Sequence, residues 1–404
     1  MGLFKGKGSV KTDTIQQQGA VLPVPGGTVA QTSSFKPKEV EEEVVDKVQQ
    51  NGILNDGILK PADFGELWQF LDNKHITDIN WNGETLWIDD IERGRYLAEG
   101  VTLSRRFVSG FATKLSNVVS KSFNRNSPIL EAETETLRIS IIHESVSNTG
   151  TAISIRVIPL DCRITLENIK ETNYCSMELI DWLIRCVLAH MSIIVGGLPG
   201  TGKTEFVKFL TQYIPAQEKV MTVEDTLELH YAHVNPGKDR IELKVGDTLS
   251  YQDAIKASLR QLPTWLLIAE ARGKEAADLL QGMSTGVNAM TTIHTDLVQK
   301  MPVRIKNMVG DAESGDRILM DAYSFINVGV MIRKYKTPEG KIRRYIDQVG
   351  IFSLENGETQ CFHLLVDRGR FVDSKLLPSI AKKFQIKGIN PLLKPFENDA
   401  VYNA

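Results

Sequence analysis

The chain has 404 residues, 42% of them hydrophobic, 24% charged and 7% aromatic, which excludes disordered, collagen-like and coiled-coil classes and predicts two to three domains at about 150 residues each. Lys plus Arg number 47 against 50 Asp plus Glu, a net charge of −3, so nothing draws the whole chain to nucleic acid, and direct nucleic-acid binding is not expected. No run approaches the roughly 18 apolar residues of a membrane span, and MGLFKGKG at the start has no apolar signal core, so the expected location is cytoplasmic.

Residues 1–38 hold six Gly, three Pro and five Lys against one Asp, and are expected to form a flexible basic tail, attracted at most to an anionic membrane surface. Residues 39–160 combine helical spacing in GELWQFLDN with β-rich runs in ITDINWN, TLWIDDI, LRISIIH and AISIRVIP, the pattern of a smaller α+β domain. The polar stretch DCRITLENIKETNY, residues 161–174, lacks a sustained period and is expected to be an inter-domain linker and hinge. From 175 to 370, helix SMELIDWLIRCVLAH, strand SIIVG, helix TEFVKFLTQYI and strand KVMTVED alternate, predicting strand–helix–strand units around a mainly parallel sheet. FINVGVMIRKY and RRYIDQVGIF around TPEGK, with a further strand near 361–366, add an antiparallel edge extension. Residues 371–404 are expected to be a C-terminal extension. Cys162, Cys175, Cys186 and Cys361 have neither C-x-x-C nor zinc spacing and read as reduced thiols.

The sharpest motif is Gly197-Leu198-Pro199-Gly200-Thr201-Gly202-Lys203-Thr204, G-x-x-x-x-G-K-T between a predicted strand and a predicted helix. Its glycines allow a tight loop whose amides cradle phosphates at a helix N-terminus; Lys203 reaches the β- and γ-phosphates, and the Thr204 hydroxyl binds magnesium. This is a RecA-like P-loop NTPase pattern with ATP and Mg2+ as the expected ligands. The apolar run Trp265–Ala269 ends at Glu270, a strand-end acid placed to hold magnesium. Strand Val220–Val223 ends in Glu224-Asp225, with Glu228 following; one acid can activate the attacking water, here assigned to Glu224, while Asp225 serves the metal. Acids that merely start a helix would look the same. Met290–Ile293 ends at His294, either a γ-phosphate sensor or a structural histidine. No N-K-x-D guanine-reading motif occurs, which disfavours GTP.

The order P-loop, VEDTLEL, LLIAEARG, MTTIHT resembles the secretion ATPase superfamily, the motors of type II and type IV secretion and of type IV pili, over about residues 65–350. ITDINWNGETLWIDD, SFNRNSPILEAE and AISIRVIP are similar to the N-terminal domain of its tight-adherence pilus and conjugation-type branch. The resemblance makes Glu224, Asp225 and Glu228 the family's Asp box and His294 its His box. It further implies that Arg138 and Arg156 reach the phosphates and that Arg260 and Arg272 belong to catalytic motifs. It also implies a homohexameric ATPase at the cytoplasmic face of the membrane, working on an inner-membrane platform protein in pilus assembly or type II/IV-like secretion. Ala269, Val287 and Thr264 stand where the family has Gly, His and Asp, without loss of a phosphate or metal ligand. A RecA-like nucleic-acid motor or a conjugative DNA-transfer ATPase is the alternative.

Overall fold

In the computed structural model, residues 59–310 and 315–396 are described; the expected basic tail 1–38 lies outside them. Six strands, β1 (Ile76–Trp81), β2 (Leu86–Asp90), β3 (Gly94–Leu97), β4 (Ile129–Glu133), β5 (Leu137–Ile142) and β6 (Ala152–Val157), form an antiparallel sheet in the order β3-β2-β1-β6-β5-β4. Period-two alternation buries Leu137, Ile139 and Ile141 of β5 and Ile153 and Ile155 of β6 on one face. The helix Arg105–Val118 covers this face with Val108, Phe111, Ala112 and Leu115, spaced for one helical stripe. Its start is fixed by Ser104, whose hydroxyl accepts the Phe107 amide at 3.2 Å.

The second sheet has nine strands: β7 (Ile193–Gly196), β8 (Val220–Glu224), β9 (Arg240–Lys244), β10 (Trp265–Ile268), β11 (Asn288–Ile293), β12 (Val328–Lys336), β13 (Ile342–Glu355), β14 (Thr359–Asp367) and β15 (Arg370–Phe371). Their order is β15-β14-β13-β12-β7-β11-β10-β8-β9, parallel from β12 to β9 and antiparallel from β15 to β12. Every residue of β7, β8, β10 and β11 is buried, as a sheet covered on both faces requires. One face packs on the helices Met177–Leu188, Lys203–Thr211 and Pro378–Ile386, the other on Tyr251–Leu259, Glu275–Ser284, Met301–Val309 and Gly315–Phe325. This is the expected α/β architecture, a mainly parallel sheet with an antiparallel extension beside a smaller α+β layer. Among the described residues no helix is long and apolar enough to cross a membrane.

Two stretches have more structure than their sequence pattern shows. Residues 161–174, expected as the inter-domain linker, carry the helix Leu166–Glu171, started by a reciprocal pair: the Thr165 hydroxyl accepts the Asn168 amide and Asn168 Oδ1 accepts the Thr165 amide. Ile169 of that helix is fully buried in the core below β7; six residues are too few to show a helical period. The extension after 371 is part of the same core through Ile380, Phe384 and Leu393. Trp182 Nε1 donates to the Pro391 carbonyl at 3.0 Å and Arg185 Nη2 to that of Leu392 at 3.0 Å.

Candidate active site

Parallel pairing brings the C-terminal ends of β7, β11, β10 and β8 to one sheet edge, and these ends carry the P-loop, His294, Glu270 and the acidic loop Glu224–Glu228. At Gly202, φ is +86°, directly before the helix Lys203–Thr211, a conformation glycine adopts without steric cost. Gly197 is tight for another reason: a Cβ there would lie 2.6 Å from both the Ile332 carbonyl and the Thr201 hydroxyl. The loop is thus a tight backbone turn that admits no Cβ at Gly197 and leads into a helix N-terminus, which fits a polyphosphate.

One chain of polar contacts crosses the edge. Lys203 Nζ is 3.2 Å from His294 Nδ1 and 3.3 Å from the Leu198 carbonyl; His294 Nε2 is 3.0 Å from Glu270 Oε1; Arg272 donates through Nη2 to Glu270 at 2.9 Å and through Nη1 to Asp225 at 3.3 Å. With the ring proton on Nε2, His294 accepts from the lysine and donates to the acid. Burial holds the Lys203 ammonium below its ordinary value, against the attraction of Glu270 and Glu228. The hydrogen bond to Glu270 leads the effects that raise the Arg272 guanidinium above its ordinary value. Lys203, His294, Glu270, Arg272 and Asp225 therefore stand together.

Glu224 and Glu228 stand differently from their sequence reading. Glu224 is fully enclosed: Oε2 accepts the amides of Glu228 at 2.8 Å and Leu229 at 2.9 Å, and Oε1 has no hydrogen-bond partner among the described residues. Burial raises its carboxyl from 4.5 to about 7, against those two amides. The acid touching the P-loop is Glu228, whose Oε2 accepts the Thr204 hydroxyl at 3.0 Å. Its spacing of four from Glu224 was the available signal, but burial, which separates the two acids, is not local. The Glu224 titration has a consequence for stability. Between pH 4.5 and about 7 the folded chain keeps a proton that the unfolded chain has lost, so this group makes stability fall as pH rises through that window. Glu224→Gln removes the effect: its melting temperature relative to the unaltered chain should climb from pH 5 to pH 8, and a constant difference by calorimetry would contradict the buried carboxyl.

Arg138 and Arg156 lie on the open face of the six-stranded sheet, in a row that crosses every strand: Arg95, Asp89, Asp78, Arg156, Arg138 and Glu133 are successive cross-strand neighbours. Arg156 Nε donates to Asp78 at 2.8 Å, and Arg138 Nε is 4.0 Å from Glu133. The row meets the acidic loop at Glu133, which accepts the Thr226 hydroxyl at 3.0 Å and the Lys244 ammonium at 2.5 Å. Burial works to depress the Arg156 guanidinium, but Asp78, with Glu228 adding a smaller attraction, carries it above its ordinary value. Arg260 does not join the site. It follows the helix Tyr251–Leu259 into the N-terminal end of β10, where Lys219 at the start of β8 reaches the Gln261 carbonyl; a strand length, about 13 Å for four residues, separates it from the P-loop edge of its own chain.

Among the described residues no group of three or more His, Cys, Asp or Glu is placed to enclose a metal. The Thr204 hydroxyl with a carboxylate oxygen 3.0 Å away is the kind of sparse oxygen set that magnesium takes when phosphate and water complete its shell.

A sequence-family profile described as "Type II/IV secretion system protein" matches residues 127–355. An uncharacterized protein of Bacillus anthracis is 26% identical over 314 residues, 75% of this chain and 70% of its own length. The type IV secretion system protein PtlH of Bordetella pertussis is 35% identical over 113 residues, 26% of this chain and 32% of that protein, so the match spans about a third of this relative. Among solved structures, the Legionella pneumophila ATPase DotB shares the fold at a TM-score of 0.54 and 15% identity, over 80% of this chain and 85% of that one.

Proposed function

The chain belongs to the type II/IV secretion ATPase superfamily, and from that membership we propose that it is a Mg-dependent ATPase, a homohexameric motor acting on an inner-membrane platform protein at the cytoplasmic face. The observation that carries the reading is the unbroken contact path from the P-loop lysine through His294, Glu270 and Arg272 to Asp225. The described fold supports it by bringing four sequence elements, the P-loop, the acidic loop, Glu270 and His294, to one sheet edge. The relative PtlH, by name a type IV secretion system protein, favours secretion over pilus assembly as the work performed.

In this reading the P-loop amides and Lys203 hold the β- and γ-phosphates. Thr204 and Glu270, with Asp225 beside them, would hold a magnesium ion, which would supply neutralisation of charge on the phosphate oxygens. Glu228 orients the attacking water and takes its proton, while Glu224 fixes the Glu228 loop through the two amides. His294, which already spans Lys203 and Glu270, reports γ-phosphate to the strand β11. Arg138 and Arg156 close from the N-terminal sheet, which acts as a separate domain of residues 39–160 moving against the P-loop domain. Guanidinium charge acts most strongly as phosphate charge redistributes in the transition state.

Arg156→Ala tests this closure. Phosphate release should fall about a hundredfold, the scale of losing one transition-state donor, while an ATP analogue still binds and light scattering still shows the ring. Release at the full rate would remove the N-terminal sheet from the mechanism.

A further inference from the structure

The hairpin β12–β13 runs alongside the P-loop, and one of its side chains touches both the loop and the other sheet. Arg344 on β13 donates through Nε to the Gly200 carbonyl at 3.2 Å and through Nη1 to the Ile91 carbonyl at 2.8 Å. Gly200 is in the middle of the P-loop; Ile91 begins the turn between β2 and β3 of the N-terminal sheet. The stem of Arg344 passes under Gly202, where a Cβ would sit 3.6 Å from Arg344 Cδ.

Both ends of this link are stiff. At the turn, Asp90 Oδ1 accepts the Glu92 amide at 2.7 Å and the Arg93 amide at 2.8 Å. The Glu92 carbonyl accepts the Ile342 amide at 2.6 Å, and its carboxylate takes Arg343 Nη1 at 2.5 Å. At the loop, a trans peptide unit holds its C=O and the following N–H in one plane, pointing in opposite directions. A bond that holds the Gly200 carbonyl thereby also fixes the direction of the Thr201 amide, which donates to the Leu198 carbonyl at 3.4 Å, the same oxygen that accepts Lys203 Nζ. The guanidinium is planar, so its two donors hold the two carbonyls at a set separation; an ammonium on a flexible stem has no such fixed fork. Arg163 makes another connection, from the Lys74 carbonyl to Glu205, but reaches the helix beyond the P-loop rather than the loop.

We propose that Arg344 is a positioning residue that couples the P-loop peptide at Gly200 to the β2–β3 turn, so that phosphate contact at the loop is felt by the N-terminal sheet of the same chain. The coupling rests on the P-loop binding nucleotide, as set out above, and goes beyond it by naming the strut. Loss of the strut separates binding from response: the loop still holds phosphate through its amides and Lys203, but the turn no longer registers it.

The test is hydrogen exchange of the Glu92 and Arg93 amides in the full chain, with and without a non-hydrolysable Mg-ATP analogue, whose affinity is measured separately. In the unaltered chain the analogue should change their exchange by about tenfold, equivalent to about 1.4 kcal/mol of local opening. In Arg344→Lys and Arg344→Gln the analogue should bind within about threefold of normal affinity, with the change at the turn abolished. Arg343→Ala, which removes only the bond to Glu92, should raise exchange in both states and keep the difference. Failure of the unaltered chain to bind the analogue would overturn the nucleotide reading itself. Binding without any change at the turn, or a change that persists in both Arg344 variants, would overturn the coupling alone.

Discussion

Lys203→Ala should abolish nucleotide binding. Its ammonium is the mobile cation of the loop, seated within 3.3 Å of the Leu198 carbonyl and His294, and each charge-assisted bond to a phosphate oxygen is worth about 1.5–3 kcal/mol. Two such bonds lost correspond to roughly 10² to 10⁴ in affinity, and turnover falls with them. Because the side chain is 7% exposed, Lys203→Met is the companion variant that keeps the packing of the stem. Both should fold, by circular dichroism, and neither should bind an ATP analogue in titration calorimetry. Normal affinity in a folded Lys203→Met chain would sink the assignment of the loop.

The second large effect is at Glu228. Glu228→Gln keeps an oxygen for the Thr204 hydroxyl but loses the base, so analogue affinity should stay within about threefold while the catalytic rate drops about a hundredfold. Glu224→Gln should cost the rate only a few-fold, because the glutamine carbonyl can still accept the Glu228 and Leu229 amides. Steady-state phosphate release by the two variants separates the roles. A normal rate in Glu228→Gln beside an inactive Glu224→Gln would return the catalytic assignment to the buried acid.

How much of this was legible in the sequence follows from how local each signal is. The P-loop was legible because Gly197 and Gly202 act through the backbone of one short turn and the Lys203 ammonium follows them directly. The parallel strands were legible because SIIVG and WLLI are continuous apolar runs, as burial on both faces demands. The helix within residues 161–174 was not legible, since a single helical turn and a half, with one buried contact at Ile169, leaves no period to detect. Arg260 carried a plausible motif, but which end of β10 it occupies depends on strand direction, and that placed it away from the loop. Asp78, Glu133 and Arg344 gave no signal at all. The first two become neighbours of Arg156 and Arg138 only through antiparallel register, and Arg344 meets Gly200 across 144 residues of chain.

Phosphate release from Mg-ATP by the full chain, with the Lys203→Met chain as the baseline, tests the central claim most directly. The account predicts multiple turnovers by the unaltered chain that stop when magnesium is chelated, and a Lys203→Met rate at least a hundredfold lower, the scale of losing the phosphate-binding cation. Equal rates in the two chains, or no release from an unaltered chain that is folded and assembled, would contradict it.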